Sequence, residues 1–160
     1  MPVLFTKGDL FATADLLAYA HGCNCAGAMG AGIAIEFKRR WPRMFDEYRA
    51  RCEDGRFGLG DVFPWTEGEH TIFNLGMQEH WKKKAQIPAL VRSLEKMSEL
   101  ATHAGIARVG LPRIGAGLGG LDWTRVKKVL TEVGAKTDVT LVVFEQFTRG
   151  RSELSGGSEA

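Results

Sequence analysis

Two glycine-rich segments contain the residues of this sequence that could hold an anion. They are GCNCAGAMGAGIA at residues 22–34 and LPRIGAGLGGLDW at residues 111–123. Each follows an apolar run and leads into an amphipathic one, so each is predicted to join a strand to a helix. Glycine lets the backbone approach a ligand closely, and the N–H groups at a helix N-terminus favour phosphate. Two such loops in one small domain predict a ligand with two phosphate groups.

The second segment also matches the dinucleotide pattern G-x-G-x-x-G at residues 115–120. A dinucleotide-binding fold needs further βα units after this motif and an acidic residue at the end of the next strand. Only 40 residues follow Gly120, and Asp138 precedes the next predicted strand instead of ending it. The sequence therefore argues against hydride transfer to a nicotinamide cofactor.

His21, Cys23 and Cys25 lie close together in the first segment and raise the question of a metal site. Ligands so close in one loop lack the second half of a tetrahedral zinc site, so no metal is expected. The three cysteines are not spaced as a disulfide framework, which predicts a reduced, cytoplasmic protein.

The net charge of +2 does not require a polyanionic partner, although it allows a single anion site. The sequence has no signal peptide and no apolar run of about 18 residues, so contact with a membrane is not expected.

The elements that position the two segments follow from the apolar patterns. Strands are predicted near 2–6, 16–21, 60–65, 70–76, 106–113 and 138–145, and helices over 30–40, 43–52 and 86–104 and from Asp122 onward. This alternation predicts a single α/β domain, with a mostly parallel sheet covered by helices on both sides. In such sheets the ligand lies at the carboxyl ends of the strands. We expect the domain to span residues 1–147 and the polar, Gly/Ser-rich tail at 148–160 to be disordered.

Three stretches carry a resemblance to a known family. GDL at 8–10, HGCNCAGAMGAGIAIEFKRRWP at 21–42 and LPRIGAGLGGLDW at 111–123 resemble the signature segments of macrodomains, which are ADP-ribose-binding modules. The resemblance covers residues 2–147 and is strongest to the branch with the terminal ADP-ribose protein glycohydrolase and the DNA ADP-ribosyl glycohydrolase antitoxins. It implies a six-stranded mixed sheet, mostly parallel, between helices.

The resemblance also implies a role for individual residues. Asp9 would accept a hydrogen bond from the adenine amino group, while Leu10 and Phe144 would contact the adenine ring. Asn24 would meet the hydroxyl groups of the distal ribose. The other implied ligand contacts, mainly around the diphosphate, are Cys23, Ala28, Met29, Gly30, Ala31, Gly32, Ile33, Ala34, Pro112, Ile114, Gly115, Ala116, Gly117, Leu118 and Gly119.

The chain departs from the family pattern at the residues that carry catalysis. Gln78 stands where related glycohydrolases have a lysine, and Gly119 stands where the protein glycohydrolase has an aspartate. A carboxamide is neither a useful nucleophile nor a base, so covalent chemistry at residue 78 is excluded. The candidate catalytic residues are then Gln78, His21 and Asp122. For His21 a structural role is the alternative, and for Asp122 the alternative is a helix N-cap.

Loss of the lysine bears on the bond that the chain could cleave. A carboxylate leaves readily because its parent acid has a pKa near 4, whereas a thymine nitrogen needs more assistance. We therefore expect a hydrolase that removes mono-ADP-ribose from ester-linked Glu or Asp of modified proteins, by water attack at the distal ribose C1″. The alternatives are a non-catalytic ADP-ribose reader and a hydrolase of thymidine-linked ADP-ribose on DNA, of ADP-ribose 1″-phosphate or of O-acyl-ADP-ribose. ADP-ribose is the expected ligand, with no cofactor, and the chain is expected to be a monomer.

Overall fold

The computed structural model describes residues 3–117 and 119–148. A short 3-10 turn at Leu10–Ala12 follows the first strand. The strands are β1 (Val3–Gly8), β2 (Ala18–Asn24), β3 (Val62–Glu67), β4 (His70–Gln78), β5 (Arg108–Leu111) and β6 (Thr140–Phe147), and the helices are α1 (Ala34–Arg40), α2 (Pro42–Glu53), α3 (Ile87–His103) and α4 (Trp123–Gly134).

Each predicted strand and helix exists, but two of the bounds near the first glycine segment differ. β2 continues to Asn24, so it carries His21 in its middle and not at its end. The helix predicted over 30–40 begins only at Ala34. Gly32 adopts a φ of +60°, a left-handed conformation that a regular α-helix cannot contain. The helix therefore cannot begin at residue 30 and continue through Gly32. Residues 25–33 therefore form a loop, called the first loop below.

The six strands form one sheet in the order β1-β6-β5-β2-β4-β3. Four of the five neighbouring pairs are parallel, and only β3 with β4 is antiparallel. The carboxyl ends of β2, β4, β5 and β6 therefore lie along the same edge of the sheet. The expected α/β fold with a mixed, mostly parallel sheet is confirmed.

Helices cover the sheet on both faces. α3 and α4 bury Leu90, Leu94 and Leu130 against one face, together with Leu75 and Leu141 of the strands. α1 and α2 cover the other face, and their buried residues Phe37, Met44 and Tyr48 pack with Tyr19 and Ile72. The sheet is thus buried between two apolar layers, and the loops after the parallel strands β2, β4, β5 and β6 leave it at the carboxyl edge. In the part of the chain that the structure describes, no helix combines the length and apolar character needed to cross a membrane.

Candidate functional site

A cavity of about 610 Å³ lies at the carboxyl edge of the sheet. Its walls are the first loop, the end of β4, the loop after β5 (residues 112–122, called the second loop) and the end of β6. It collects most of the residues singled out from the sequence: Leu10, His21, Cys23, Asn24, Ala28, Met29, Gly30, Ala31, Gly32, Ile33, Ala34, Gln78, Pro112, Ile114, Gly115, Gly117, Gly119 and Phe144.

Among the described residues, three of the predicted site residues, Asp9, Ala116 and Asp122, do not line the cavity. Asp9 is buried and caps the short turn after β1, where its Oδ1 accepts a hydrogen bond from Phe11 N at 2.9 Å. Asp122 is exposed and caps α4, with its Oδ1 3.3 Å from Thr124 N. Ala116 lies in the second loop, and Leu118 falls outside the described residues. The N-cap that the sequence suggested for Asp122 is therefore the role its carboxylate has here.

Six further residues line the cavity that the sequence did not single out: Gly22, Met77, Trp81, Arg113, Glu145 and Phe147. Trp81 and Phe147 are about half exposed, which is unusual for large aromatic residues. Glu145 pairs with Lys127 at 2.8 Å, and this lysine is the main reason why the pKa of its carboxyl is lowered. In the sequence, the only indication that Trp81 and Phe147 line the site was their position, because Trp81 closely follows β4 and Phe147 ends β6.

Hydrogen bonds hold the shape of the first loop. The Asn24 Oδ1 accepts from Ala26 N at 3.0 Å and from Ala28 N at 3.2 Å, while its Nδ2 donates to Ala28 O at 2.9 Å. The Tyr48 hydroxyl donates to Asn24 O at 2.7 Å and lies 2.9 Å from Asn24 Oδ1. Burial raises the pKa of Tyr48, so its hydroxyl stays protonated as a donor. The Asn24 side chain is thus an internal brace as well as part of the cavity wall.

Close packing holds the second loop. Gly115 has a φ of +75°, and its carbonyl accepts from Leu121 N at 2.9 Å. A methyl group at Gly119 would lie 2.6 Å from that same carbonyl oxygen and 3.1 Å from Ala85 Cβ. The site therefore has no room at residue 119 for the aspartate of the related protein glycohydrolase. The replacement of the family aspartate by Gly119, seen in the sequence, thus agrees with the close packing around residue 119.

A buried relay fixes the state of His21. The Asn74 Nδ2 donates to Phe63 O at 3.0 Å, so its Oδ1 must be the atom that lies 2.7 Å from His21 Nε2. The imidazole therefore carries its proton on Nε2. Burial lowers the pKa of His21 to about 4, and its ring stacks on Phe37 with centroids 3.8 Å apart. Nδ1 is then a lone-pair acceptor, and it has no hydrogen-bond partner in the described part of the chain.

Gln78 ends β4 beside Asn24 and is 9% exposed. Its backbone carbonyl accepts from Cys25 N at 2.7 Å, and its Nε2 donates to Lys83 O. The carboxamide is thereby held at the cavity wall, where it can orient a polar ligand group or a water molecule.

The cavity walls contain little charge. Among its lining residues within 3–117 and 119–148, the charged side chains are Arg113 and Glu145. His21 is neutral at pH 7, and burial raises the pKa of the Cys23 thiol, so neither is an ionised nucleophile. The described residues contain no cluster of His, Cys, Asp or Glu that could hold a metal ion. For an anion, the cavity wall presents the Arg113 side chain and the glycine-rich backbone of two loops.

Comparison with known proteins agrees with this geometry. Residues 20–130 match the model of the Macro domain family. The chain is 32% identical to a Mycobacterium tuberculosis protein named DNA ADP-ribosyl glycohydrolase, over 99% of this chain but only 44% of that protein. It is 29% identical to human ADP-ribose glycohydrolase OARD1, over 89% of this chain and 90% of the human protein.

The fold comparison agrees with the sequence comparison. The structure titled "Macrodomain of Mycobacterium tuberculosis DarG" superposes with a TM-score of 0.80 at 33% identity, over 89% of this chain and 97% of that one. This chain thus spans less than half the length of its mycobacterial sequence relative, but almost all of that relative's separately solved macrodomain. On the family model, the identity and the superposition together, the chain belongs to the Macro domain family.

Proposed function

We propose that this chain binds ADP-ribose in the cavity and hydrolyses the bond at C1″ of its distal ribose. One observation carries the proposal: Gly30 and Gly117, from opposite loops, line the cavity and have open space where a side chain would begin. A diphosphate between them would be reached by backbone donors of both loops. Hydrogen bonds to a charged group contribute about 1.5–3 kcal/mol each, enough for specific binding by a few of them. The names of the mycobacterial and human relatives support the same ligand.

The order of the strands supports an orientation for the ligand. β6 and β4 are separated by β5 and β2, so their ends lie about 14 Å apart at the usual strand spacing of about 4.8 Å. Phe144 on β6 and the neighbouring Leu10 would bound the adenine. Asn24 and Gln78, at the ends of β2 and β4, would bound the distal ribose. Asp9 would contribute its proposed adenine contact from the carboxylate that caps the turn.

The proposed mechanism is direct attack by water. The water oxygen bonds to C1″, the bond from C1″ to the acceptor breaks, and the electron pair leaves with the acceptor. Gln78 or a phosphate oxygen of the ligand would orient the water, which passes its proton to that phosphate oxygen or to solvent. His21, proposed for this role from the sequence, has its Nδ1 buried and its Nε2 bonded to Asn74, so it would support the site from behind. The two loops contribute by holding the distal ribose in a reactive position. A covalent enzyme intermediate is not part of this proposal, because His21 is neutral, Cys23 is a thiol and residue 78 is an amide.

The acceptor at C1″ has two candidates. An ester to Glu or Asp fits the absence of a strong acid at residue 78, because a carboxylate is a good leaving group. A DNA acceptor is favoured by the name of the mycobacterial relative, and thymidine is the DNA linkage proposed here. Hydrolysis of ADP-ribose 1″-phosphate or O-acyl-ADP-ribose in the same site is an alternative reaction. A further alternative is that the chain binds ADP-ribose without hydrolysing it.

The test is release of free ADP-ribose from two substrates assayed side by side. One is a protein carrying ADP-ribose on glutamate, and the other is a single-stranded DNA oligonucleotide carrying it on thymine. We expect turnover of at least one substrate, lowered by Gln78→Ala and unaffected by Gly58→Ala, which lies outside the cavity. Tight binding of ADP-ribose without any turnover would replace the hydrolase by a reader. Absence of binding would overturn both.

A further inference from the structure

Trp81 is an exposed aromatic residue at the wall of the cavity. Its side chain is 47% exposed although it lines the site. The imidazole of His80 stacks on the indole, with ring centroids 3.7 Å apart and an angle of 29° between the planes. A half-exposed indole at the wall of a cavity leaves an aromatic surface that a bound ligand can contact. The stacked pair therefore offers a flat surface to whatever occupies this part of the site.

The turn that carries Trp81 is braced at several points. Within it, Lys83 N donates to His80 O at 2.9 Å and Lys82 N donates to His80 Nδ1 at 3.2 Å. At its end, Gln86 N donates to Met77 O at 2.9 Å, and Ala85 N donates to Gly119 O of the second loop at 2.8 Å. The indole is thus presented by a turn tied both to β4 and to the second loop.

The position of this turn relates it to the reacting end of the proposed ligand. It directly follows Gln78, whose Nε2 donates to Lys83 O within the turn. Gln78 pairs with Asn24 across β2 and β4, at the end of the sheet edge away from Phe144 on β6. On the proposed orientation, adenine lies at the β6 end and the distal ribose lies beside β4. Trp81 therefore lies on the side of C1″ where the acceptor would leave.

The charges around the indole indicate the chemistry of that acceptor. Lys82, Lys83 and Lys84 follow Trp81 directly, and all three are exposed. Lys83 pairs with Glu79 at 3.0 Å. An aromatic face beside basic residues is the combination that binds unpaired nucleotides, because the base stacks on the ring and the phosphate meets the cations. An acidic side chain would use the cations but not the flat surface.

We propose that Trp81, supported by His80, is the acceptor-side specificity residue of this site and stacks on the nucleobase that carries ADP-ribose, with the 82–84 lysines facing the phosphates of the same single strand. The inference rests on the proposed function and selects the nucleobase linkage over the ester.

The test compares Trp81→Ala with Trp81→Phe on three probes. These are free ADP-ribose, a single-stranded oligonucleotide with ADP-ribose on one thymine, and a peptide with ADP-ribose on a glutamate. Affinities are read by stopped flow before turnover. For Trp81→Ala we expect a loss of about 5- to 100-fold on the oligonucleotide, the effect of one lost base–aromatic stack. Affinity for free ADP-ribose and for the peptide stays within about twofold, and Trp81→Phe retains most of the oligonucleotide affinity.

Tryptophan fluorescence gives an independent readout. Trp41 is buried and Trp65 and Trp123 are partly buried, so quenching by the modified oligonucleotide is assigned to Trp81 if Trp81→Phe abolishes it. The proposal is overturned if Trp81→Ala leaves the oligonucleotide affinity unchanged, or lowers the affinity for free ADP-ribose by the same factor. If the unaltered chain does not bind free ADP-ribose at all, the proposed function itself fails, which the first probe alone reveals.

Discussion

The two glycine-rich loops have the same sequence pattern but are held in place by different interactions. The first loop is held by side-chain hydrogen bonds, because the Asn24 side chain bonds to its backbone and the Tyr48 hydroxyl bonds to the Asn24 carbonyl. The second loop is held by packing and main-chain hydrogen bonds, with Ile114 and Leu121 buried in the α3/α4 layer and Gly119 close to Gly115. Two segments with similar glycine-rich sequences are therefore held in place in different ways.

The glycines of the two loops are of two kinds, and the two kinds do not follow the division between the loops. A side chain at Gly115 or Gly119 would meet protein atoms within 3.0 Å, so the fold requires their size. Gly30 and Gly117 line the cavity, a Cβ at either position would meet nothing within 4 Å, and neither has a positive φ. Nothing in the packing of the described residues explains why these two positions lack a Cβ, whereas a closely held diphosphate would. Substitutions in the two loops can separate these two kinds of glycine and these two kinds of anchor.

The largest effect is expected from Asn24→Ala, which removes the polar anchor of the first loop. Three side-chain hydrogen bonds to the loop and a fourth from Tyr48 are lost, each contributing about 0.5–1.5 kcal/mol. We expect the free energy of unfolding to fall by about 2–4 kcal/mol, and ADP-ribose affinity to fall at least 100-fold. Urea denaturation and calorimetry measure the two quantities. Tyr48→Phe, which removes only the hydroxyl, should lie between the unaltered chain and Asn24→Ala.

Gly119→Ala tests the packing anchor of the second loop. The added methyl group forces the Gly115 carbonyl or Ala85 to move, and overpacking of this kind costs about 1–3 kcal/mol. We expect a lower midpoint in urea with an unchanged slope. If Gly119→Ala were as stable as the unaltered chain, the second loop would not be held by close approach.

Lowering the pH should reduce the free energy of unfolding through His21, which lies on β2 shortly before the first loop. Its pKa is about 4 in the folded protein and about 6.5 when exposed, so between these values the unfolded chain binds a proton that the native chain does not. The His21 contribution to stability is therefore complete above pH 6.5 and is lost as the pH falls toward 4, by about 2 kcal/mol between pH 7 and pH 5. Urea denaturation at both pH values measures it. In His21→Gln, which cannot titrate, the free energy of unfolding should fall less between pH 7 and pH 5, by that amount. An equal fall in both proteins would contradict the assignment of this pH dependence to His21.

The smallest effect on stability, but a specific one on binding, is expected for Gly30→Ala. Because the methyl group meets nothing within 4 Å, the free energy of unfolding should change by less than about 0.5 kcal/mol. A diphosphate at this backbone would be displaced, and we expect about a tenfold weaker affinity for ADP-ribose by calorimetry. Gly58→Ala, on the loop before β3, is the matched control. Unchanged affinity in Gly30→Ala would place the diphosphate elsewhere.

The fold was readable from the sequence because its signals are local. Apolar spacing in 86–104 and the dense β-branched run VTLVVF indicate elements whose partners need not be known. The family motifs likewise located most of the cavity wall. The start of α1 was missed because it depends on the left-handed backbone at Gly32, which letters alone do not show.

Features that depend on distant residues were not readable. The tautomer of His21 follows from Asn74, 53 positions away, and from the Phe63 carbonyl on a third strand, whereas its lowered pKa follows from burial in the folded protein. The exclusion of a side chain at Gly119 comes from Gly115 folding back on it. Trp81 became a candidate only when its exposure and its stacking on His80 were known. The expectations of a monomeric, cytoplasmic protein stay predictions.

The most direct test of the account is a backbone amide titration with ADP-ribose, followed by nuclear magnetic resonance. If one diphosphate is held between the two loops, the amide signals of Gly30 and Gly117 shift together, with a single shared dissociation constant. Shifts confined to one loop, or to neither, would contradict the central claim.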